Sequence, residues 1–418
     1  MDLTDNDVAV LRGLAERVAE AAADPIQEQR RQAWKAHNAL QPGRPLLVCD
    51  IEPPMWREII PPERLACSNE FARFIENELL YRLYHIDVIH DDWVQQPYFH
   101  LPLIIDNSGF GVETRSVDTG HSFGAKHFDP VIVEERDIER IVTPTIAVDW
   151  ELNKARQQAL NQAFGDLLPV HLRGFFVPWF APLDQFAEWR GIENLMMDLL
   201  DDPDWLHEAM ERLCVAHLGM LDQMQALDAI SLNNDSHFVG SGGMGFTDEL
   251  PQPDFDGEHV RPQDLWGQAA AQIFSEVSPA MHEEFALPYD KRWLERFGLG
   301  CYGCCEPLHR KIDVLRQIPN LRRISMSPWV DVAEGAKNIG RDYIFSRKPN
   351  PAILASERWQ PDLARRNIRA DLEASAGCVV EFIMKDTCTC RDEPHRVTEW
   401  TDIVMEECRR FAEAGLQA

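Results

Sequence analysis

The chain has 418 residues, 45% of them hydrophobic, and sets 41 basic against 69 acidic residues for a formal net charge of −28. A charge of that sign repels phosphate backbones and anionic lipid surfaces, which excludes nucleic acid and membranes as partners. Ten cysteines scattered from Cys49 to Cys408 lack the density of a disulfide-stapled secreted domain and no signal peptide opens the sequence, so the expectation is a cytoplasmic protein with reduced thiols and no span.

Residues 5–40 carry apolar positions at helical spacing, with Val8, Leu11, Leu14, Ala15 and Val18 on one face and Pro25 as the interruption. This predicts a helical lead-in over 1–43. Residues 44–52 then read as a short buried strand that ends in Asp50, Glu52 and two prolines. The same pattern of apolar middle and polar end recurs at 86–93, after a helix over 69–84, and at 170–177, after a helix over about 153–164. It recurs again at 228–237, after a helix over 203–226, and then at 299–305, 321–329, 342–349 and 377–386. Eight such strands, most of them separated by helix-period segments, predict a TIM (β/α)8 barrel over 44–418 with its active site at the carboxyl ends of the strands. Two connections are too long for simple crossovers. The first, about 100–142, is expected to be a β-rich insertion, and the second, 239–263, a loop over the barrel mouth.

The second long connection contains Gly240-Ser-Gly-Gly-Met-Gly245, which has the letters of a dinucleotide fingerprint. Pro251 and Pro253 follow too soon for the helix such a loop must open, so a flexible lid or substrate loop is expected instead. The densest chemistry lies in Cys301-Tyr-Gly-Cys-Cys-Glu-Pro-Leu-His309. Cys301 and Cys304 could be a redox pair or half of a structural zinc site, but no second such pair completes it. Strand alternation sends Cys301, Gly303 and Cys305 to one side and Tyr302 and Cys304 to the other. The last strand ends in Lys385-Asp-Thr-Cys-Thr-Cys390, which a closed barrel would bring to the same rim. Cys49, Cys67, Cys214, Cys378 and Cys408 are expected to be small buried hydrophobes. His237 closes the fourth strand as a ligand, acid/base group or hydrogen-bonding wall. Asp50, Glu52, Asp91, Asp92 and Asp386 stand at strand ends to bind substrate, hold water or orient a metal-bound group, or else to cap the next helix. Trp56, Trp93, Trp179, Trp266 and Trp329 flank the same ends as pocket wall or packing.

With these rim thiols, the chain from Arg44 onward resembles the uroporphyrinogen decarboxylase superfamily, in its corrinoid-linked zinc methyltransferase branch. Those enzymes carry a His-x-Cys pair at one strand end and a Cys near the end of the last strand. Gly303-Cys-Cys305 and Cys388 are the matching positions, with glycine in place of the histidine. The resemblance implies Zn2+ held by Cys305 and Cys388, with Cys304, Glu306 or His237 as a further ligand. It implies cobalamin carried by a partner corrinoid protein, a small methyl donor or acceptor of the methyl ether or methylamine type, and an acid, Asp235 or Asp386, that protonates the departing atom. Asp50, Glu52, Trp56, Asp91, Asn234 and Lys385 form the expected substrate-binding set, and a homodimer is compatible with all of this. In place of the arginine-bearing segment that grips porphyrin carboxylates in the decarboxylases, this chain has Cys49-Asp-Ile-Glu-Pro-Pro-Met-Trp56, which disfavours a polyanionic porphyrin. A decarboxylase or lyase of a small organic acid that uses Arg173 or Lys385 is the alternative on the same fold. A non-catalytic ligand-binding barrel is the alternative from another class.

Overall fold

The computed structural model describes residues 3–117 and 127–415. The lead-in forms as two helices, α1 (Asp5–Ala22) and α2 (Ile26–Asn38), split next to Pro25. Thr4 begins α1 with a capping box to Asp7, which satisfies amides that the first turn leaves without partners.

Strand β1 (Leu46–Cys49) is buried throughout and stops where Pro53 and Pro54 open helix α3 (Pro53–Ile59), because proline suits a first helical turn and ends a strand. Helix α4 (Glu70–Asp87) follows, with the Asn69 side chain capping the Ala72 amide. Next come β2 (Phe99–Pro102), β3 (Ile105–Asn107), β4 (Arg115–Val117), β5 (His127–Asp129), β6 (Ile146–Val148), β7 (Val170–Arg173) and β8 (Trp179–Phe180). The chain ends its sheet with β9 (Trp266–Ala269), β10 (Leu299–Tyr302), β11 (Leu321–Met326), β12 (Ile344–Arg347) and β13 (Val379–Met384).

Seven strands form one parallel sheet in the order β1, β13, β12, β11, β10, β9, β8. Its strands are buried on both faces and its helices lie in the crossovers, as in other parallel α/β sheets. Strands β2 and β7 form a separate parallel pair. Within the expected insertion, about 100–142, β4 pairs antiparallel with β5, while β3 pairs with β6, which lies beyond that bound; the stretch 118–126 lies outside the described residues.

Two expected strands do not form, and the reason is the same for both. At 86–93 helix α4 continues to Asp87, and the next two acids then pair with β1 through their side chains. The Asp92 carboxylate accepts from the Leu47 amide at 2.9 Å and that of Asp91 from the Cys49 amide at 3.0 Å, while only the Asp92 amide bonds backbone to backbone, to the Leu47 carbonyl. At 228–237 a single parallel bridge, Ile230 to Phe175, replaces the strand. There the Asn233 amide group does the pairing: it donates to the carbonyls of Phe176 and Trp266 and accepts from the Trp266 amide, each at 2.9 Å. A side-chain carboxylate or amide offers the donors and acceptors of a peptide group without continuing the ladder. Strand β9 was not expected; it has no β-branched residue, and Gly267 leaves room for the Phe297 ring, 2.5 Å from where a Cβ would stand. Among the described residues no continuous ladder closes the sheet.

The segment at 239–247 is not a lid. It is largely buried and folds inward, with the Gly243 amide donating to Glu381 at 2.9 Å and the Ser241 hydroxyl to the Gly303 carbonyl at 2.8 Å. Its glycines allow close approach: a Cβ on Gly242 would stand 2.2 Å from Arg323 Cδ, and one on Gly243 2.4 Å from the Trp34 ring.

Candidate active site: a thiol pair beside an amphipathic cavity

Strand β10 ends at Gly303, whose φ of 87° is in the left-handed region that glycine adopts freely. The turn breaks strand alternation and brings the neighbouring thiols Cys304 and Cys305 together, with sulfurs 3.6 Å apart. β13 ends at Met384, so the next residues arrive beside them. The Lys385 ammonium donates to Cys304 Sγ at 3.0 Å and lies 3.3 Å from Asp386 Oδ1, and Asp386 Oδ2 is 4.0 Å from Cys305 Sγ.

This arrangement divides the roles of the two sulfurs. The hydrogen bond from Cys305 lowers the Cys304 pKa to about 7, with the positive charge of Lys385 adding to it and burial opposing it. Cys305 is pushed up by that same hydrogen bond and by burial, so it keeps its proton. Cys304 is therefore the thiolate near neutral pH, the form that acts as nucleophile and metal ligand.

The turn connects onward through Glu52, which accepts from the Asp386 amide at 2.8 Å. Beyond Glu52 a cavity of about 680 Å³ opens, walled by Asp50, Glu52, Trp56, Tyr81, Arg82, Trp93, His100, Arg173, Phe176, His237 and Phe238 among others. Asp50 accepts from the Tyr81 hydroxyl at 3.2 Å; burial, followed by the charge of Glu52, raises its pKa to about 6. At the other end Arg173 pairs with Asp235 at 3.1 Å, lies over the Phe176 ring at 3.8 Å and contacts His100 Nδ1 at 2.5 Å. Burial, with Arg173 second, lowers His100 to about 3, and burial lowers His237 to about 4. Both imidazoles are neutral.

The expected site residues thus separate into groups. Cys304, Cys305, Lys385 and Asp386 come together; Asp50, Glu52 and Trp56 line the adjoining cavity, where Trp56 donates to Asn77 at 2.8 Å. The remaining expectations need correction. His237 is in the cavity, edge-on to Phe176 at 4.6 Å, and not beside the thiols. Glu306 is fully buried, with its two oxygens accepting from the amides of Ala271 and Cys304, at 3.2 and 2.8 Å. Asp91 serves β1, as described above, and is not in the cavity wall. Asp235 is engaged by Arg173. Asn234 donates to the Leu250 carbonyl at 2.7 Å and lines a separate open groove. Lys385 serves the thiol and not the cavity. Cys388 is exposed and Cys390 is buried against Glu58. Cys301 is core, its thiol pushed up to about 11 by burial. Among the described residues no group of three or more His, Cys, Asp or Glu side chains is poised to hold a metal ion.

The sequence reading missed Tyr81, Arg82, His100 and Phe176. Glu78, Tyr81, Arg82 and His85 recur at helical spacing on α4, a second stripe beside the apolar one at Ala72, Ile75, Leu79 and Leu83 that is buried. That stripe was the available signal.

No protein-family model and no curated protein matches the chain. Among solved structures, a methyltransferase from Methanosarcina mazei is similar over 92% of this chain and 99% of that one, at 10% identity and a TM-score of 0.44. A likeness at that distance bears on neither substrate nor mechanism. No helix among the described residues is long and apolar enough to cross a membrane.

Proposed function

We propose that the protein is a thiol-centred methyltransferase on a barrel whose ring is completed by the side chains of Asp91, Asp92 and Asn233 in place of ladder bonds. The observation that carries the reading is the Cys304–Cys305 pair held by Lys385 and Asp386 at the carboxyl ends of β10 and β13, the end of a parallel sheet at which sites gather. The pair also suits zinc in part. Sulfurs bound to one zinc at about 2.3 Å stand about 3.8 Å apart across a tetrahedral edge, close to the 3.6 Å between these two. Asp386 is the next donor, and Cys388, further along the same turn, is the candidate for a fourth; His237 and Glu306 are no longer candidates. Zinc held there would supply Lewis acidity to the heteroatom that carries the methyl group.

The chain's own residues have defined tasks in this scheme. Lys385 keeps Cys304 deprotonated and, on its flexible stem, moves away when another cation takes over that charge. Asp50, with its pKa raised to about 6, carries a proton for part of the time at neutral pH and delivers it to the departing heteroatom. The carbon–heteroatom bond breaks with its electron pair left on the heteroatom, and a reduced corrinoid carried by a partner protein would supply the pair for the new bond to carbon.

The test is to purify the chain, measure its zinc content, and follow methylation of added cob(I)alamin with a panel of methyl ethers and methylamines. The expected result is zinc near one per chain and transfer that falls by about two orders of magnitude in Cys304→Ser and in Cys305→Ser. Full transfer by both variants would overturn the reading.

A further inference from the structure

The cavity has a charge left over in its wall. Arg82, on α4 next to Tyr81, donates Nε to the Gln95 side chain and its two terminal nitrogens to the carbonyls of Tyr98 and Gln96, at 3.2, 2.8 and 2.5 Å. All three acceptors are neutral. A guanidinium has five N–H groups, so two remain. Among the described residues no carboxylate lies within ion-pair distance of Arg82. Glu78, one turn earlier and in the same wall, interacts with it only at longer range. Arg82 is only half-buried, so its remaining N–H groups are open to an incoming acceptor, and ligand carboxylates are what such a fork matches.

Arg173 stands nearby but is 2% exposed and already engaged: Asp235, the Leu232 carbonyl and His100 take its terminal nitrogens, and its unpartnered Nε is buried out of reach of the cavity. Both arginines belong to the same cavity wall. Between that end and Asp50 the wall is aromatic: Trp93 is edge-on to Tyr81 at 6.2 Å and to Phe238 at 5.5 Å, and Phe176 closes the far side. The acids Asp50 and Glu52 occupy the opposite end, next to the thiols. A dianion such as phosphate would meet their repulsion, whereas a single carboxylate needs only Arg82.

We infer that this cavity binds an amphipathic monocarboxylate, with its carboxylate on Arg82, its flat apolar body between Trp93, Phe176 and Phe238, and its other end toward Asp50. The inference rests on the proposed methyl transfer only for the last element, the end that reacts.

The full chain is titrated calorimetrically with benzoate, with its neutral isostere benzamide and with inorganic phosphate. Benzoate is expected to bind at least about tenfold more tightly than benzamide, the scale of one charge-assisted hydrogen-bonded pair, and phosphate not to bind. Arg82→Gln should remove that preference and Arg82→Lys, which keeps the charge, should retain part of it; a melting curve checks that each variant is folded. Equal binding of benzoate and benzamide, no binding of either, or a preference unchanged in Arg82→Gln would overturn the inference. Cys304→Ser should bind benzoate as the parent does. In the parent protein, benzoate binding without methyl transfer counts against the thiol chemistry alone, and methyl transfer without benzoate binding counts against the carboxylate site alone.

Discussion

Two charged regions lie within the sheet, and they differ in how their charges are met. In the first, Glu381 on β13 is fully buried, yet its carboxylate gathers Arg323 at 3.0 Å, Ser346 at 2.5 Å, the Gly243 amide at 2.9 Å and His37 at 3.1 Å. Burial pushes its pKa up, but Arg323 and His37 outweigh that and hold it well below the usual carboxylate range. Lys348 beside it is pushed down to about 8 by burial, against the pull of Glu381. In the second region, the cavity with its thiol rim, Arg82 has only neutral partners, Asp50 has one hydroxyl donor, and Cys304 relies on Lys385. In the first region the carboxylate is fully met, although Arg323 leaves its Nε and Nη1 without hydrogen-bond partners, and the cluster serves the fold. The second keeps donors and acceptors in reserve, which is how a site differs from a core.

The sharpest way to break that contrast is to remove one member of the compensated cluster. Glu381→Gln leaves Arg323 buried without its counter-charge, so unfolding free energy should fall by about 3–5 kcal/mol, read by urea denaturation. A loss below about 1 kcal/mol would mean the cluster is not the internally paired unit described here. Cys304→Ser should do the opposite. Activity falls by about two orders of magnitude, the scale for one positioned catalytic group, while the urea midpoint stays close to that of the parent. A large loss of stability would place Cys304 with the core.

How far the sequence could be read follows the same division. The parallel α/β class, the helices over 203–226 and on either side of Pro25, and the thiols after β10 were legible, because burial runs, proline and cysteine act locally. The missing strands at 86–93 and 228–237 were not legible, since whether Asp91, Asp92 and Asn233 pair through backbone or side chain depends on neighbours distant in sequence. Alternation assigned Cys304 and Cys305 to opposite faces; Gly303 was the sign that the strand stops before them. The cavity was hidden because helical spacing marks a stripe on α4 but not the residues it faces, and the wall is completed by Arg173 and Phe176, about ninety positions away.

Asp50 offers a test of intermediate size. Its pKa rises from the ordinary 3.8 to about 6 on folding, so the folded state binds its proton more tightly than the unfolded chain does. Such a group costs stability once pH passes its folded value and costs nothing below its unfolded value. Asp50→Asn should therefore stabilise the protein at pH 7, by on the order of 1–3 kcal/mol, and have almost no effect at about pH 3, below the unfolded value. Equal effects at the two pH values would remove the basis for its role as proton donor.

The smallest effect concerns the thiol rim itself. In chelator-treated protein, the rate of Cys304 alkylation by iodoacetamide should rise with an inflection near pH 7, because Cys305 and Lys385 lower its pKa to about 7. Lys385→Met removes the ammonium but leaves the Cys305 hydrogen bond, so the inflection should move up by about one pH unit, worth about 1.4 kcal/mol. The direction matters more than the size. Lys385 also pairs with Asp386 at 3.3 Å, and freeing that carboxylate beside the sulfurs adds negative charge that opposes the thiolate, so both consequences of the substitution raise the pKa. Peptide mapping after limited alkylation assigns the modified sulfur. If Cys305 reacts first in the parent, the proton is on the other sulfur and the assignment of roles within the pair is reversed; if the inflection stays at the same pH in Lys385→Met, the pair alone sets the thiolate and the lysine is part of its packing.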